Sequence, residues 1–357
     1  MTSLTDALKD AQKRLEEVFP KTAPDTTDRH RYFCLAAAML YDQNRIDDVI
    51  AHATGPRGLL HHELLWTALF SYLQSCGYAL DERYAPGWRP LAADGTRKGF
   101  LSRSLDTTTA RLWGRDAVGE PLPPTHYRTM RATNVSTGHR VYLKIVISSP
   151  EDPHGQERDI LQLLNSEPHR SHRDNPCVPV YEFLSFPAVP GASPGIVPCL
   201  SIAVMPELQP LSYERLPIKA LYLDVIEQSL RGLAYLHSLG IAHRDLCDCN
   251  LALSPGKPPY RLYFLDFGLA KQFQVTDPPT ASALWQGGRM QVPEVTELNK
   301  PYDPYKADLY MLADEFWELS LSFLPELPGL AQIMASENPA ERSTATEAMK
   351  AYVGTPT

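Results

Sequence analysis

Apolar residues recur at Leu4, Ala7, Leu8, Ala11, Leu15, Val18 and Phe19 with charges between them, which predicts an amphipathic helix. Ser3 offers an N-cap and Asp6 an acidic first turn. The same periodicity predicts helices over Phe33–Tyr41, Ile46–Ile50 and Leu64–Leu80. Asp94-Gly95, between Trp88–Ala92 and Phe100–Leu101, predicts a hairpin turn. From about residue 120 the texture changes. Strands are expected at Val141–Ser148, Val178–Phe186, Leu200–Met205, Leu251–Leu253 and Leu262–Leu265. Helices are expected over His154–Asn165 and Tyr222–Leu239, and again after Glu294. Strands first and helices afterward predict an α+β domain with two lobes. We expect a helical N-terminal extension over 1–110 and a main domain over 111–357, with lobes at about 111–207 and 208–357. No internal repeat interrupts this plan.

Composition narrows the picture. The chain has 357 residues, 43% apolar and 21% charged, which is ordinary for a globular protein. The net charge of −8 argues against a chain-wide basic footprint, so no nucleic-acid partner is expected. Most of that charge lies outside the extension. The most apolar window, Leu64–Leu73, falls well short of the ~20 residues that span a bilayer. No membrane insertion is expected, and Met1–Asp6 shows no leader pattern. Six cysteines are too few for a disulfide scaffold, so a reduced, intracellular chain, cytoplasmic or nuclear, is expected. The 32 prolines cluster partly in the turn-rich loop Phe186–Pro198 and in Pro121–Pro124.

The chemistry lies in two runs. Ile241-Ala-His-Arg-Asp-Leu-Cys-Asp-Cys-Asn-Leu251 follows the Tyr222–Leu239 helix, and Leu262-Tyr-Phe-Leu-Asp-Phe-Gly-Leu269 follows it in turn. They match the H-R-D-L-x-x-x-N and D-F-G signatures of protein kinases. A second His-Arg-Asp, at His172–Asp174, lacks both the preceding helix and the following Asn. The wider chain, from about 119 to 353, resembles the protein kinase-like superfamily in the same order. Val141–Lys144 resembles the strand with the phosphate-binding lysine, and Glu157–Asn165 the helix whose Glu pairs with it. Ile202–Leu208 resembles the hinge, with Met205 as gatekeeper, and Val292-Pro-Glu294 the A-P-E motif. Pro301–Asp308 resembles the segment entering the central helix, and Asn338–Arg342 the motif whose Arg pairs with the A-P-E Glu. Around Asn175–Tyr181 and the hinge, the texture is similar to the kinase-like family expanded in mushroom-forming fungi.

This resemblance implies ATP and Mg²⁺ as cofactors and a protein hydroxyl, Ser/Thr ahead of Tyr, as acceptor. It assigns Lys144 to the α- and β-phosphates and Glu157 to an ion pair with Lys144. Asn250 and Asp266 would bind Mg²⁺, a hard cation that takes oxygen ligands. Asp245 would accept the proton of the substrate hydroxyl. Met205 and Glu207 would border the nucleotide. Arg244, Glu294, Asp308 and Arg342 are expected to be structural, with Arg244 available to a phosphate at Thr276, Thr280 or Ser282. A regulatory partner acting through the extension is a further expectation.

The pattern breaks in three places. Pro121–Tyr127 stands where a glycine-rich loop belongs, and proline has no amide hydrogen for a phosphate. Cys247 replaces the lysine that Ser/Thr kinases carry two residues after the catalytic Asp. The stretch from Asp308 to Arg342 is short, which suggests trimmed docking helices. These departures keep two alternatives open: a pseudokinase that binds nucleotide or scaffolds, and a small-molecule kinase. Cys247-Asp-Cys249 near His243 raises the thought of zinc, but alternate residues in a tight loop are expected to point apart.

Overall fold

The computed structural model describes residue 13 and residues 27–46, 63–87, 128–148, 155–189, 200–211, 216, 218–274, 281–282, 292–295, 301–323 and 328–353. The predicted Asp94-Gly95 turn, the Pro121–Tyr127 segment, Thr276 and Thr280 lie outside the described residues, as does the Leu4–Phe19 helix apart from Lys13. The chain divides into two compact units, Met1–Ile145 with Tyr181–Pro206, and Val146–Val180 with Glu207–Thr357. One is organised by a five-stranded sheet and the other mainly by helices. This is the α+β division of a bilobal kinase-like fold.

In the first unit, α1 (Thr27–Asp42) is buried on nearly every side over Tyr32–Leu40, with Leu35, Ala36, Met39 and Leu40 among its least exposed residues. Helix α2 (Leu64–Ser75) is apolar nearly all round and buries Leu64, Leu65, Trp66, Ala68, Leu69 and Leu73. The two helices pack together, and each fully buried leucine contributes about 2 kcal/mol. Gln43 and Arg45 extend the contact by donating to the carbonyls of Ala68 and Thr67, at 3.1 and 3.0 Å. Helix α2 stops short of the predicted Leu64–Leu80. Gly77 takes φ +88°, a left-handed conformation that glycine adopts without a Cβ penalty and that ends the helix. Beyond it Tyr78–Ala79 forms strand β1.

Strand β1 pairs antiparallel with β2 (Thr129–Asn134), Tyr78 opposite Asn134, and β2 pairs with β3 (Arg140–Ile147). With β4 (Glu182–Ser185) and β5 (Leu200–Pro206) the sheet order is β1-β2-β3-β5-β4. Residues 78–79 therefore belong to the sheet although they precede position 111. The connection from β1 to β2 runs over residues 80–128. The sheet curls: β1 and β4 are its edges, yet the Tyr78 hydroxyl donates to the Glu182 carboxylate and the Tyr72 hydroxyl to the Ser185 carbonyl.

In the second unit, α3 (Glu157–Leu164) starts three residues later than predicted and presents Ile160, Leu161 and Leu164 to the core. Asn165 and Asn175 fix the turns that follow. Asn165 accepts the N–H of Val180 at 2.8 Å and donates to the Val178 carbonyl at 3.2 Å. Asn175 donates to the carbonyls of Leu164 and His169 at 2.8 and 3.0 Å. The predicted amphipathic helix is α4 (Lys219–Ser238). The unit then builds β6 (Gln209–Pro210), β7 (Ile241–Ala242), β8 (Leu251–Leu253), β9 (Leu262–Phe264), β10 (Lys271–Gln272), β11 (Ala281–Ser282) and β12 (Pro301–Tyr302). Three helices close it: α5 (Pro304–Phe323), α6 (Pro328–Met334) and α7 (Ala345–Val353). Helix α4 packs against α7 and α5. Among the described residues no helix is long and apolar enough to cross a membrane.

Candidate active site

The His243–Asn250 run lies between β7 and β8, and Asp266 follows β9. Because β8 and β9 form an antiparallel pair with Leu251 opposite Phe264, their flanking residues are neighbours. The Leu265 N–H donates to the Asn250 carbonyl at 2.8 Å, which brings the second motif beside the first. The Asn250 side-chain amide donates to the backbone oxygen of Asp245 at 2.7 Å and to its carboxylate at 3.0 Å. That commits Nδ2 and turns Oδ1 elsewhere, an oxygen donor suited to a hard cation. Asp266 adopts a left-handed backbone, φ 53°, and its carboxylate accepts the Gly268 N–H at 3.1 Å. Strained backbone at a non-glycine residue persists only where the surroundings hold it, and it clusters at functional sites.

His243 supports both motifs from below. It is fully buried, bonds the Leu265 carbonyl through Nε2 at 2.9 Å, and its ring meets Phe264 and Phe267 at 5.9 and 4.9 Å. Bonding to a carbonyl fixes the proton on Nε2. The Arg244 guanidinium donates to the Tyr302 hydroxyl at 3.0 Å and the Leu269 carbonyl at 3.2 Å. Burial pushes the Tyr302 hydroxyl pKa up, and the adjacent Arg244 charge partly offsets that. The expected pairing of Glu294 with Arg342 is present, with bonds of 2.6 and 2.7 Å.

The other predicted residues occupy defined positions. Lys144 lies on β3, buried, opposite Thr129 of β2. Met205 lies on β5, buried, and Glu207 follows that strand. The chain crosses between the units after Ile145, after Val180 and after Pro206, the last within Ile202–Leu208. Glu157 opens α3 and is fully buried, and α3 packs against the Phe267–Leu269 turn. Asp245 and Asn250 are bonded, and Asp266 follows the Leu265 that pairs with Asn250, all within the second unit. Glu157 belongs to the same unit, whereas Lys144 and Met205 belong to the first.

Two features went unforeseen. His237, near the end of α4, bonds Asp308 at 3.1 Å and stacks on Tyr305 at 4.4 Å. A single histidine on an amphipathic helix carries no sequence signal of such a role. The second feature is a correction. Cys247 and Cys249 do not point apart; they form a disulfide, with Cα atoms 5.4 Å apart. Cys247 is extended, but a 3₁₀ turn over Asp248–Asn250 folds Cys249 back toward it. While joined to each other, the two sulfurs are not free thiolates for a metal.

The family model for the protein kinase domain matches residues 214–325, which contain both motifs. The chain is 37% identical over 95 residues to serine/threonine-protein kinase STY46 of Arabidopsis thaliana, covering 27% of this chain and 15% of that protein. It is 34% identical over 113 residues to serine/threonine/tyrosine-protein kinase HT1 of the same plant, covering 32% of this chain and 27% of the relative. Serine/threonine-protein kinase A-Raf of Homo sapiens is 33% identical over 112 residues, covering 29% and 17%. The chain thus spans between 15% and 27% of the length of these relatives. Fold, motif order and matches support the protein kinase-like superfamily. Within it they support a protein kinase.

Proposed function

We propose that this chain is an ATP- and Mg²⁺-dependent protein kinase that transfers the γ-phosphoryl group to a protein hydroxyl, Ser/Thr ahead of Tyr. The carrying observation is the Asn250 amide bonded to Asp245 beside the strand turn that presents Asp266. Phosphoryl transfer demands positioning and charge neutralisation more than covalent chemistry. Mg²⁺, when bound, would neutralise phosphate charge. The oxygen donors of Asn250 and Asp266 fit it. Asp245, oriented by Asn250, accepts the acceptor hydroxyl's proton. Lys144 is assigned to the phosphates, Glu157 keeps the role the resemblance gives it, and Met205 and Glu207 border the nucleotide. Within the superfamily we assign the chain to the family expanded in mushroom-forming fungi, on Asn175–Tyr181 and the Val-Met-Pro hinge.

The test combines Mg·ATP thermal shift with mass spectrometry of phosphate incorporation. Asp245→Ala should keep the nucleotide shift and lose transfer by about 10²- to 10⁴-fold. Asp266→Ala should lose the Mg²⁺-dependent part of the shift. Absence of both shift and transfer in the wild type overturns the proposal. One observation favours a second reading, a nucleotide-binding pseudokinase. The link from β1 to β2 is residues 80–128, including Pro121–Pro124, where a short glycine-rich hairpin would otherwise present amides. Binding without transfer would support that reading.

A further inference from the structure

Between Asp245 and Asn250 the chain carries two cysteines joined in a disulfide. They differ in exposure: Cys247 is 2% exposed and Cys249 lies at the surface. The Cys247 carbonyl also accepts the Asn250 N–H at 2.9 Å, so the covalent link and this hydrogen bond close the same turn. That turn ends on Asn250, whose side chain holds Asp245. We infer that Cys247 and Cys249 form a reversible dithiol–disulfide site that takes a low-molecular-weight disulfide as oxidant and sets the rigidity of the turn carrying Asn250.

The exposure difference orders the chemistry. The Cys249 sulfur attacks one sulfur of the small disulfide, whose S–S bond breaks and releases one small thiol. The Cys247 sulfur then attacks Cys249 Sγ, forming the internal bond and releasing the second small thiol. The protein dithiol loses two electrons and two protons, and the small disulfide gains both. An added dithiol reverses the sequence. Cys177 offers an internal contrast, since it is buried and burial pushes its thiol pKa up, the mark of an inert cysteine. With the link open, the turn keeps the hydrogen bond from the Asn250 N–H to the Cys247 carbonyl but loses its covalent closure. The modification stands on the cysteines alone, while its consequence for phosphoryl transfer rests on the kinase reading above.

The experiment uses the full chain in glutathione buffers of stepped reduced-to-oxidised ratio, followed by alkylation and peptide mass spectrometry. The peptide holding both cysteines should pass from doubly alkylated to unalkylated, at a mass two hydrogens below that of the free dithiol peptide, and return on adding dithiothreitol. Hydrogen exchange over residues 246–253 and 262–266 should be about tenfold faster in the reduced chain. Cys249→Ser, a substitution at the surface, should exchange at the reduced rate in every buffer. Double alkylation at all ratios, a glutathione adduct that persists, or equal exchange in both states overturns the inference. A failed kinase reading shows itself separately, as no Mg·ATP thermal shift in either redox state, and leaves both readouts intact.

Discussion

Asp308 accepts the backbone N–H of Arg244 at 2.6 Å, and Arg244 sits in the left-handed region at φ 67°. The same fully buried carboxylate takes the N–H of His243 at 2.7 Å and faces His237 Nε2 at 3.1 Å. The backbone of His243 and Arg244 is therefore tied to helix α5 through the Asp308 carboxylate. Asp308→Asn turns one accepting oxygen into a donor that faces an N–H. We expect a loss of about 1–3 kcal/mol, from a buried backbone N–H left without its acceptor. Urea denaturation checks this, and an unchanged midpoint would refute the tie.

Arg342 makes a second buried anchor. Its guanidinium meets both oxygens of Glu294, donates to the carbonyls of Ser336 and Lys306 at 2.6 and 3.2 Å, and lies 4.6 Å from the Tyr310 ring centre. A lysine keeps the charge but loses the planar fork. Arg342→Lys should cost about 1.5–3 kcal/mol, from the charged hydrogen bonds that an ammonium cannot all remake. High salt should not mimic the substitution, because burial shields the pair from screening. Melting curves of both proteins at low and high salt would show it.

The second unit was the more legible in the sequence, because its signals are short-range. The His243–Asn250 run, the Asp266–Gly268 turn and strand Leu251–Leu253 lie within one continuous stretch. Their spacing alone makes Asn250 and Asp266 neighbours once β8 and β9 pair. The Glu294–Arg342 contact came through the resemblance. Strand β1 was hidden because an apolar run continues from α2 through Leu80, and two residues carry no period. Strand β2, mixed in polarity, takes its shape from partners distant in sequence. The Cys247–Cys249 side chains converge, against the expected divergence, because alternation holds for extended chain and a 3₁₀ turn begins at Asp248.

Gly232 lies on α4 where a Cβ would stand 2.7 Å from Pro176 Cβ. Alanine is the better helix former by about 1 kcal/mol. Overpacking costs about 1–3 kcal/mol, and Pro176 cannot easily retreat because its carbonyl accepts the Phe264 N–H at 2.7 Å. Gly232→Ala should therefore destabilise. Pro176→Gly should recover part of the loss in the double variant, a coupling that a thermodynamic cycle measures. Additive effects would show that the two residues do not meet.

Tyr78 joins the two edges of the curled sheet through its hydrogen bond to Glu182. Burial first, and then the Glu182 carboxylate, pushes its pKa up to about 12. In the unfolded chain a tyrosine titrates near its ordinary value of about 10. Between those values the folded state holds the proton that the unfolded state has lost. Stability from this group is therefore complete below about pH 10 and declines as pH rises toward 12. Tyr78→Phe removes both the hydrogen bond and the proton. It should cost about 1 kcal/mol near neutral pH, and its stability should fall less steeply with alkali. Tyr72 and Tyr352 are raised to about 12 as well, so both proteins weaken in base and only their difference isolates Tyr78. Urea midpoints of the two proteins should converge as pH rises from about 10 toward about 12. A constant gap would mean that the hydroxyl ionises alike in the folded and unfolded chains, and would refute the role of the Glu182 contact.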